Sequence, residues 1–149
     1  WQYSLTERTE KEPSALSLLK IARDRNGALE ITGRAWQGDG RISSQYHSEA
    51  VKERTDPPGI FYYWKGERPL HTNAPQLWGT GEIKLEAADQ ASGYWTTRAD
   101  AGPKVNARTS GVFLRAEPDD ITIMDGRDDQ KRKELIAVRL KHWELVKSA

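Results

Sequence analysis

The sequence predicts an all-β fold, an up-and-down β-barrel of about eight strands with one C-terminal α-helix. Three observations predict it: short segments in which apolar and polar residues alternate, turn signals between most of them, and a change near residue 127 to a helix-forming composition. Closing a sheet into a barrel removes its exposed edges. We expect a single domain over residues 1–149, with the barrel strands in residues 1–126 and the helix in residues 127–149.

Four strands are predicted in the first half of the chain. Residues 1–5 alternate large apolar and polar side chains. Residues 15–23 and 28–36 form a hairpin around Asp24-Arg25-Asn26-Gly27, because Asn and Gly accept the positive φ of tight turns. The fourth strand, residues 42–54, has no strongly apolar face. We therefore expect it to lie at a sheet edge or to line a wet cavity.

Four further strands are predicted at residues 60–65, 76–87, 92–98 and 108–116. The first of them, which begins Ile60-Phe61-Tyr62-Tyr63-Trp64, is apolar on both faces, so we expect its outer side to be covered as well as its inner side. Residues 121–124 are predicted to add a short strand.

Two glycines in the sixth strand share a face with apolar residues. Gly79 and Gly81 alternate with the same period as Ile83 and Leu85. If these apolar side chains point inward, the glycines leave space inside the barrel, and Gly33 does the same on the third strand. Two explanations stay open: a barrel corner or bulge, or a cavity for a ligand.

A C-terminal amphipathic helix is predicted over residues 129–147. Ile136, Leu140 and Trp143 recur at i, i+4 and i+7, and Asp128 or Asp129 can cap the first turn. The alternation from Ile136 to Leu140 would also suit a strand, but the surrounding residues are strong helix formers. The composition therefore favours the helix.

Composition and motifs exclude several classes of function. The 23 basic and 22 acidic side chains give a net charge of +1, which argues against a surface that coats DNA or RNA. The absence of cysteine excludes disulfides and thiolate zinc sites. The carboxylate pairs at residues 119–120 and 128–129 are predicted to be solvated beside turns, and no phosphate-binding glycine loop is present. The histidines lack metal-ligand spacing and are expected on a strand surface, in a loop and in the helix; they are His47, His71 and His142. We predict neither an enzyme nor a metal or cofactor site.

Aromatic residues interleaved with arginine and hydroxyl residues are the strongest candidates for a ligand site. Planar rings stack on bases, and arginine binds phosphate through two parallel hydrogen bonds. Eight strands leave an interior that is either filled or holds one small ligand, as in lipocalins and streptavidin. The predicted ligand-binding residues are Tyr3, Arg34, Tyr46, Tyr62, Trp78, Trp95, Thr97, Arg98, Arg108 and Ser110.

Six short segments over residues 1–115 carry a family resemblance. They are Trp1-Gln2-Tyr3, Leu29-Glu30-Ile31-Thr32-Gly33, Ile60-Phe61-Tyr62-Tyr63-Trp64, the run from Gly79 to Leu85, Gly93-Tyr94-Trp95 and the run from Gly111 to Arg115. Their order resembles that in the bacterial two-transmembrane β-barrel cyclic-dinucleotide receptors of CBASS anti-phage signalling.

The resemblance implies a sensor domain that binds a cyclic dinucleotide made by a partner nucleotidyltransferase. In such effectors an N-terminal membrane segment precedes the barrel, and binding promotes homo-oligomerisation and disruption of the inner membrane. The sequence starts at Trp1 without an initiator methionine, so we expect the natural protein to continue upstream, with this domain in the cytoplasm.

Two other functions remain open at this point. One is a lipocalin-like carrier or sensor of a small apolar or lipid ligand, whose cavity would be lined by Ile, Leu and Phe without a basic mouth. The other is an assembly module with a filled barrel.

Overall fold

The computed structural model describes residues 3–8, 15–70, 73–99 and 107–148, with side chains described within 16–70, 73–98 and 108–141. These residues form eight strands and two helices. The strands are β1 (Tyr3–Arg8), β2 (Ala15–Arg23), β3 (Leu29–Gln37), β4 (Ile42–Thr55), β5 (Pro58–Glu67), β6 (Leu77–Leu85), β7 (Gln90–Ala99) and β8 (Ala107–Arg115), and the helices are α1 (Pro118–Asp125) and α2 (Asp129–Ser148).

The eight strands close into an antiparallel barrel in which each strand pairs with its neighbours along the chain. β1 and β8 complete the closure, with Ser4 opposite Arg115 and Arg8 opposite Gly111. The predicted all-β, eight-stranded up-and-down barrel with a C-terminal helix is therefore confirmed.

The predicted β2–β3 hairpin is present, and its turn shows why the sequence folds here. One carboxylate oxygen of Asp24, Oδ1, accepts hydrogen bonds from the backbone N–H groups of Asn26 and Ala28, both at 2.8 Å. Gly27 has φ +83°, a conformation that favours glycine. The local turn chemistry thus sets the pairing of Ala22 with Glu30 and of the residues beyond them.

One end of the barrel, which we call the filled end, is closed by apolar side chains. It lies toward the β2–β3 and β4–β5 turns, where Ile31, Ile60 and Ile83 are buried. Ile60 lies directly opposite Ile83 in the β5–β6 pairing. Leu85, predicted to share this inward face, is exposed at the end of β6. The opposite end, the open end, is where β3 ends and β4 begins.

The two helices cover the outer face of β2 and the end of β3. Leu16, Leu18 and Trp36 on the barrel pack with Met124 of α1 and Ile136 of α2 in a second buried cluster. The prediction that the outside of β5 is covered was wrong. The helices lie over β2 instead, and Phe61 and Tyr63 on the outer face of β5 are part-exposed.

The short strand predicted at residues 121–124 is part of α1 instead. Pro118 occupies the start of this helix and Asp119 lies in its first turn, both of which favour a helix N-terminus. Asp120, predicted to be solvated, is buried and forms an ion pair with Arg139 of α2. The β-branched residues of this segment suggested a strand, but the start signals and the packing of Met124 decide for a helix.

The predicted helix at the C-terminus is confirmed, with its cap. Asp128 Oδ1 accepts a hydrogen bond from the backbone N–H of Lys131 at 3.0 Å. Ile136 is fully buried and Leu140 packs against the same cluster, as their spacing predicts. The side chains of Trp143 and His142 lie outside the described residues.

Arg132 ties the two helices to the β3–β4 turn. Its side chain is 8% exposed. It donates hydrogen bonds to the carbonyl oxygens of Gly40 at 3.1 Å and Met124 at 3.3 Å, and to that of Gly126. The carbonyls of Met124 and Gly126 belong to the end of α1, where backbone acceptors lack partners within the helix. One buried guanidinium thus joins three chain segments. Within the part of the chain that the structure describes, no helix has the length and apolar character needed to cross a bilayer.

Candidate functional site

The interior of the open end contains a cavity of about 200 Å³, which we call the lumen cavity. Its lining combines apolar residues deep in the barrel with polar residues at the rim. The lining residues are Leu16, Ser17, Leu19, Ala35, Ser43, Ser44, Gln45, Tyr46, Tyr62, Trp64, Arg68, Leu77, Trp95, Thr97 and Phe113.

Aromatic rings form the walls of the lumen cavity. Tyr46 and Trp64 meet edge to face, with ring centroids 6.0 Å apart, and Trp95 meets Phe113 in the same way at 6.5 Å. The hydroxyls of Tyr46 and Ser17 are hydrogen-bonded at 2.7 Å. Edge-to-face packing fixes the orientation of these rings. The walls are therefore preorganised around the cavity.

The glycines of the inward face are packing positions and do not open a gap for a ligand. An added Cβ at Gly33 would lie 2.1 Å from the Tyr46 ring, and one at Gly81 would lie 2.3 Å from the Tyr62 ring. At Gly79 it would meet the backbone carbonyl oxygen of Thr96 at 1.8 Å. The space predicted beside these glycines is thus filled, by tyrosine rings over Gly33 and Gly81 and by a close backbone approach at Gly79.

The hydroxyl of Tyr62 is a polar group without a protein partner. Tyr62 is only 7% exposed, it lines the lumen cavity, and among the described residues nothing hydrogen-bonds to its hydroxyl. Its oxygen is not one of the fully buried polar atoms without a partner, so it is accessible from the cavity. The hydroxyl is therefore available to a molecule in the cavity.

The rim of the lumen cavity is polar and carries one arginine. Ser43 and Ser44 lie near the start of β4, Thr97 lies near the end of β7, and Arg68 directly follows β5. Within the described ranges Arg68 makes neither an ion pair nor a hydrogen bond. A guanidinium at such a position can bind an anion by two parallel hydrogen bonds.

Burial shifts the ionisation of both tyrosines. It raises the pKa of Tyr46 to about 12, although the hydrogen bond with Ser17 acts in the opposite direction. Burial, and the nearby Tyr46 to a smaller extent, also raises the pKa of Tyr62. Both hydroxyls are therefore protonated at neutral pH. The Tyr46 hydroxyl donates its proton to Ser17, whose own hydroxyl donates to the carbonyl of Arg34, so the Tyr62 hydroxyl is the one that can donate to a ligand.

This shift predicts a specific alkaline destabilisation. A tyrosine whose pKa is raised in the folded state contributes stability below its unfolded pKa of about 10, and this stability is lost as the pH rises to the folded value. Between pH 10 and 12 we expect the free energy of unfolding of the native protein to fall by about 1.4 kcal/mol per pH unit more than that of Tyr46→Phe. Urea denaturation across this range measures the difference. Parallel pH dependences of the two proteins would contradict it.

A second, larger cavity of about 700 Å³ lies on the outer wall between β2–β4, the segment before β6 and the end of α1. Its charged groups already have partners. Arg34 is paired with Asp125, and Gln45 donates to Glu67. His47, which is exposed as predicted for a strand surface, contacts Glu49 at 2.9 Å. Because these groups satisfy one another, the lumen cavity is the stronger candidate site.

The outer side of β4–β8 carries a separate cluster that we call the arginine–aromatic face. Three arginine guanidinium groups lie over aromatic rings: Arg54 over Phe61 at 4.8 Å, Arg98 over Trp78 at 5.1 Å and Arg108 over Tyr94 at 4.0 Å. Side chains of this face that are paired on neighbouring strands form rows across the barrel wall. Its residues are Lys52, Arg54, Phe61, Tyr63, Lys65, Trp78, Thr80, Glu82, Lys84, Tyr94, Thr96, Arg98, Arg108 and Ser110.

The structure divides the ten predicted ligand-binding residues among different places. Four line the lumen cavity: Tyr46, Tyr62, Trp95 and Thr97. Four lie on the outside, in the arginine–aromatic face: Trp78, Arg98, Arg108 and Ser110. These four are not brought together with the interior four, and neither is Arg34, which lines the second cavity on the outer wall; their role in ligand binding stays a prediction. The backbone of Tyr3 pairs with Lys20 in β1, and its side chain lies outside the described residues.

Several lining residues were missing from the predicted set. Trp64 is predictable from the sequence, because it lies two residues after Tyr62 in β5 and therefore points to the same side of the strand. Ser43 and Ser44 are not, because a register shift between Ala35 and Trp36 changes the pairing of β3 with β4 at the rim. Arg68 lies just outside a strand, where alternation gives no signal.

No metal centre is found among the residues described: they contain no group of three or more histidine, aspartate or glutamate side chains that could hold an ion. His71 lies outside these residues, so its predicted loop position stays a prediction.

Comparison of the chain with protein-family models, with characterised proteins and with solved structures finds no match. The class of protein is therefore described from the fold and the site alone. The chain is a closed eight-stranded β-barrel whose interior is packed at one end and holds a small, partly polar cavity at the other.

Proposed function

We propose that this chain is the ligand-binding sensor domain of a cyclic-dinucleotide receptor, with one base of the ligand inserted into the lumen cavity. The observation that carries the proposal is the hydroxyl of Tyr62, a residue only 7% exposed, which has no partner among the described residues and lines a cavity with aromatic walls. A nucleobase offers both a flat face for aromatic contact and polar edges for such a hydroxyl.

The size of the cavity favours partial insertion of the ligand. Pockets that enclose most of a drug-sized ligand have volumes of roughly 300–1,000 Å³, and the lumen cavity has about 200 Å³. It therefore suits one ring system. The sugar-phosphate ring of a cyclic dinucleotide would remain at the rim, where Arg68 can bind a phosphate.

The chemistry of the rim separates this proposal from an apolar carrier. A cavity for a lipid would be lined by aliphatic and aromatic side chains. Here hydroxyl groups come from Ser43, Ser44 and Thr97, and Arg68 adds a positive charge. Burying these groups against an alkyl chain would cost hydrogen bonds that they make with water.

Calorimetric titration with a panel of cyclic dinucleotides tests the proposal. We expect at least one member to bind, and Tyr62→Phe to weaken that binding about 3- to 10-fold, the equivalent of one neutral hydrogen bond. Arg68→Ala is expected to weaken it about 10-fold or more, because a charge-assisted bond to phosphate is lost.

Tyr63→Phe is the matched control, because the adjacent tyrosine lies on the outer side of the same strand. It removes the same atom without touching the cavity and should leave binding unchanged. Tyr62→Phe should not reduce stability, since it removes a hydroxyl with no protein partner. Absence of binding by the whole panel, or binding that neither Tyr62→Phe nor Arg68→Ala weakens, would contradict the proposal.

The wider role that the family resemblance implies stays a prediction. It comprises inner-membrane association, homo-oligomerisation on binding and an effector function in anti-phage defence. Within the proposal, this chain supplies the binding step.

A further inference from the structure

We infer that the arginine–aromatic face binds single-stranded nucleic acid. The face lies on the outside of β4–β8, separated by the barrel wall from the lumen cavity, and it does not depend on the function proposed for that cavity. It combines the two features that such binding requires, a concentration of positive charge and flat groups that stack with bases, here aromatic rings and the guanidinium planes that lie over three of them.

The rings and cations of the face are arranged in rows. In one row Lys65, Trp78 and Arg98 lie opposite one another on β5, β6 and β7. A neighbouring row on the same face contains Tyr63 on β5 and, three strands beyond it, Arg108 on β8, whose guanidinium lies over Tyr94. The rings of Tyr63 and Trp78 meet edge to face with centroids 6.3 Å apart. Residues two positions apart on one strand are roughly 7 Å apart, so successive rows offer closely spaced stacking positions.

Cations outnumber carboxylates on this face. Six cations point outward: Lys52, Arg54, Lys65, Lys84, Arg98 and Arg108. One carboxylate lies among them, that of Glu82, which is buried and paired with Arg54 at 2.8 Å.

Further carboxylates stand at the borders of the face, where each is bonded to a neighbouring side chain: Glu49 to His47 and Lys65, Glu67 to Gln45, and Glu86 to Ser92. The overall charge of +1 argued against a nucleic-acid partner. Segregation of charge in the folded barrel removes that objection.

These charges also select among possible occupants. A second copy docked face to face would bring the cations of the two faces together, which is unfavourable. Insertion into a lipid surface requires apolar side chains that reach into the acyl boundary. Here Arg54, Arg98 and Arg108 lie over the rings instead. An anionic polymer with flat bases fits both the charge and the rings.

Fluorescence anisotropy with a labelled oligouridylate of about 15 nucleotides tests this inference. We expect binding at low salt, with affinity that falls as salt increases. Lys52→Gln/Lys84→Gln removes two exposed cations of the face and should reduce the salt slope by about 0.7 for each. Tyr94→Leu removes the ring beneath the Arg108 guanidinium, and with it this stacking position, and should weaken binding about 5-fold or more.

The matched control is Lys131→Gln/Lys133→Gln, which makes the same charge change on exposed positions of α2. It should leave oligouridylate binding within about twofold. Tyr62→Phe and an excess of cyclic dinucleotide should also leave it unchanged, so failure of this inference and failure of the proposed function are distinguishable.

Four results would overturn the inference. They are no binding at low salt, equal loss from both lysine pairs, duplex RNA binding as tightly as the single strand, and a preference for anionic vesicles over the oligonucleotide. Thermal unfolding of each variant verifies that it is folded. If Tyr94→Leu does not fold, Arg108→Gln replaces it and should weaken binding as well.

Discussion

Arg132→Ala is expected to lower the free energy of unfolding by about 3 kcal/mol or more. The buried guanidinium donates to the carbonyls of Gly40, Met124 and Gly126. Without it these acceptors lose their partner, and the α1 and α2 helices lose their hydrogen-bonded link to the β3–β4 turn. The guanidinium also lies over the Trp36 ring at 5.4 Å, so the substitution removes packing in the same cluster. Urea denaturation followed by far-ultraviolet circular dichroism measures the loss.

Arg127→Ala is the matched control, since this exposed arginine lies between the same two helices and has no partner among the described residues. It should change stability by less than about 0.5 kcal/mol. Arg132→Met retains much of the apolar stem but no donor, and separates packing from hydrogen bonding. If Arg132→Ala lowered the free energy of unfolding no more than Arg127→Ala, the hydrogen bonds of Arg132 would have no role in stability.

Gly81→Ala is expected to destabilise the barrel by about 3 kcal/mol, because its Cβ would overlap the Tyr62 ring. In a Tyr62→Leu background the overlap is absent, and the same substitution should cost at least about 1 kcal/mol less. Chemical denaturation of the two single variants and the double variant gives this coupling. Displacing the Tyr62 ring should also weaken ligand binding in the lumen cavity.

The second glycine–tyrosine pair supplies the control for this cycle. Gly33→Ala should be rescued by Tyr46→Leu and not by Tyr62→Leu, and the reverse should hold for Gly81→Ala. If the leucine substitution of the other pair restored stability, or if neither did, the tyrosine rings would not be packed on these glycines. Pair-specific rescue would establish that the two tyrosines are held in place by the glycines beneath them.

The barrel could be predicted because its signals are local. The Asp24–Gly27 turn encodes its own hairpin, and alternation within each strand defines two faces. The site was predicted less well, although the same alternation indicates which side chains point into the barrel and which point outward. With Gly79 and Gly81 inward, Trp78 must point outward, and with Gly33 inward, so must Arg34. The ten predicted ligand-binding residues share their chemical type, but they do not share one face of the strands.

Other parts of the site depend on contacts that a single sequence does not encode. The filling of the space over Gly33 by Tyr46 depends on the register between β3 and β4. The burial of Asp120 depends on where α2 brings Arg139. The choice of β2 as the strand beneath the helices rests on the complementary faces of Leu18 and Ile136, which lie far apart in the chain.

The pairing of β1 with β8 is the single seam of the barrel, since every other strand pairing joins neighbours in sequence. During folding the hairpins can form independently, whereas the seam must bring Arg8 to Gly111 at the entropic cost of closing a long loop. Until it closes, β1 and β8 present two unpaired edges that match each other. A chain with an open seam is therefore the state from which two molecules can exchange β1 and form a swapped dimer.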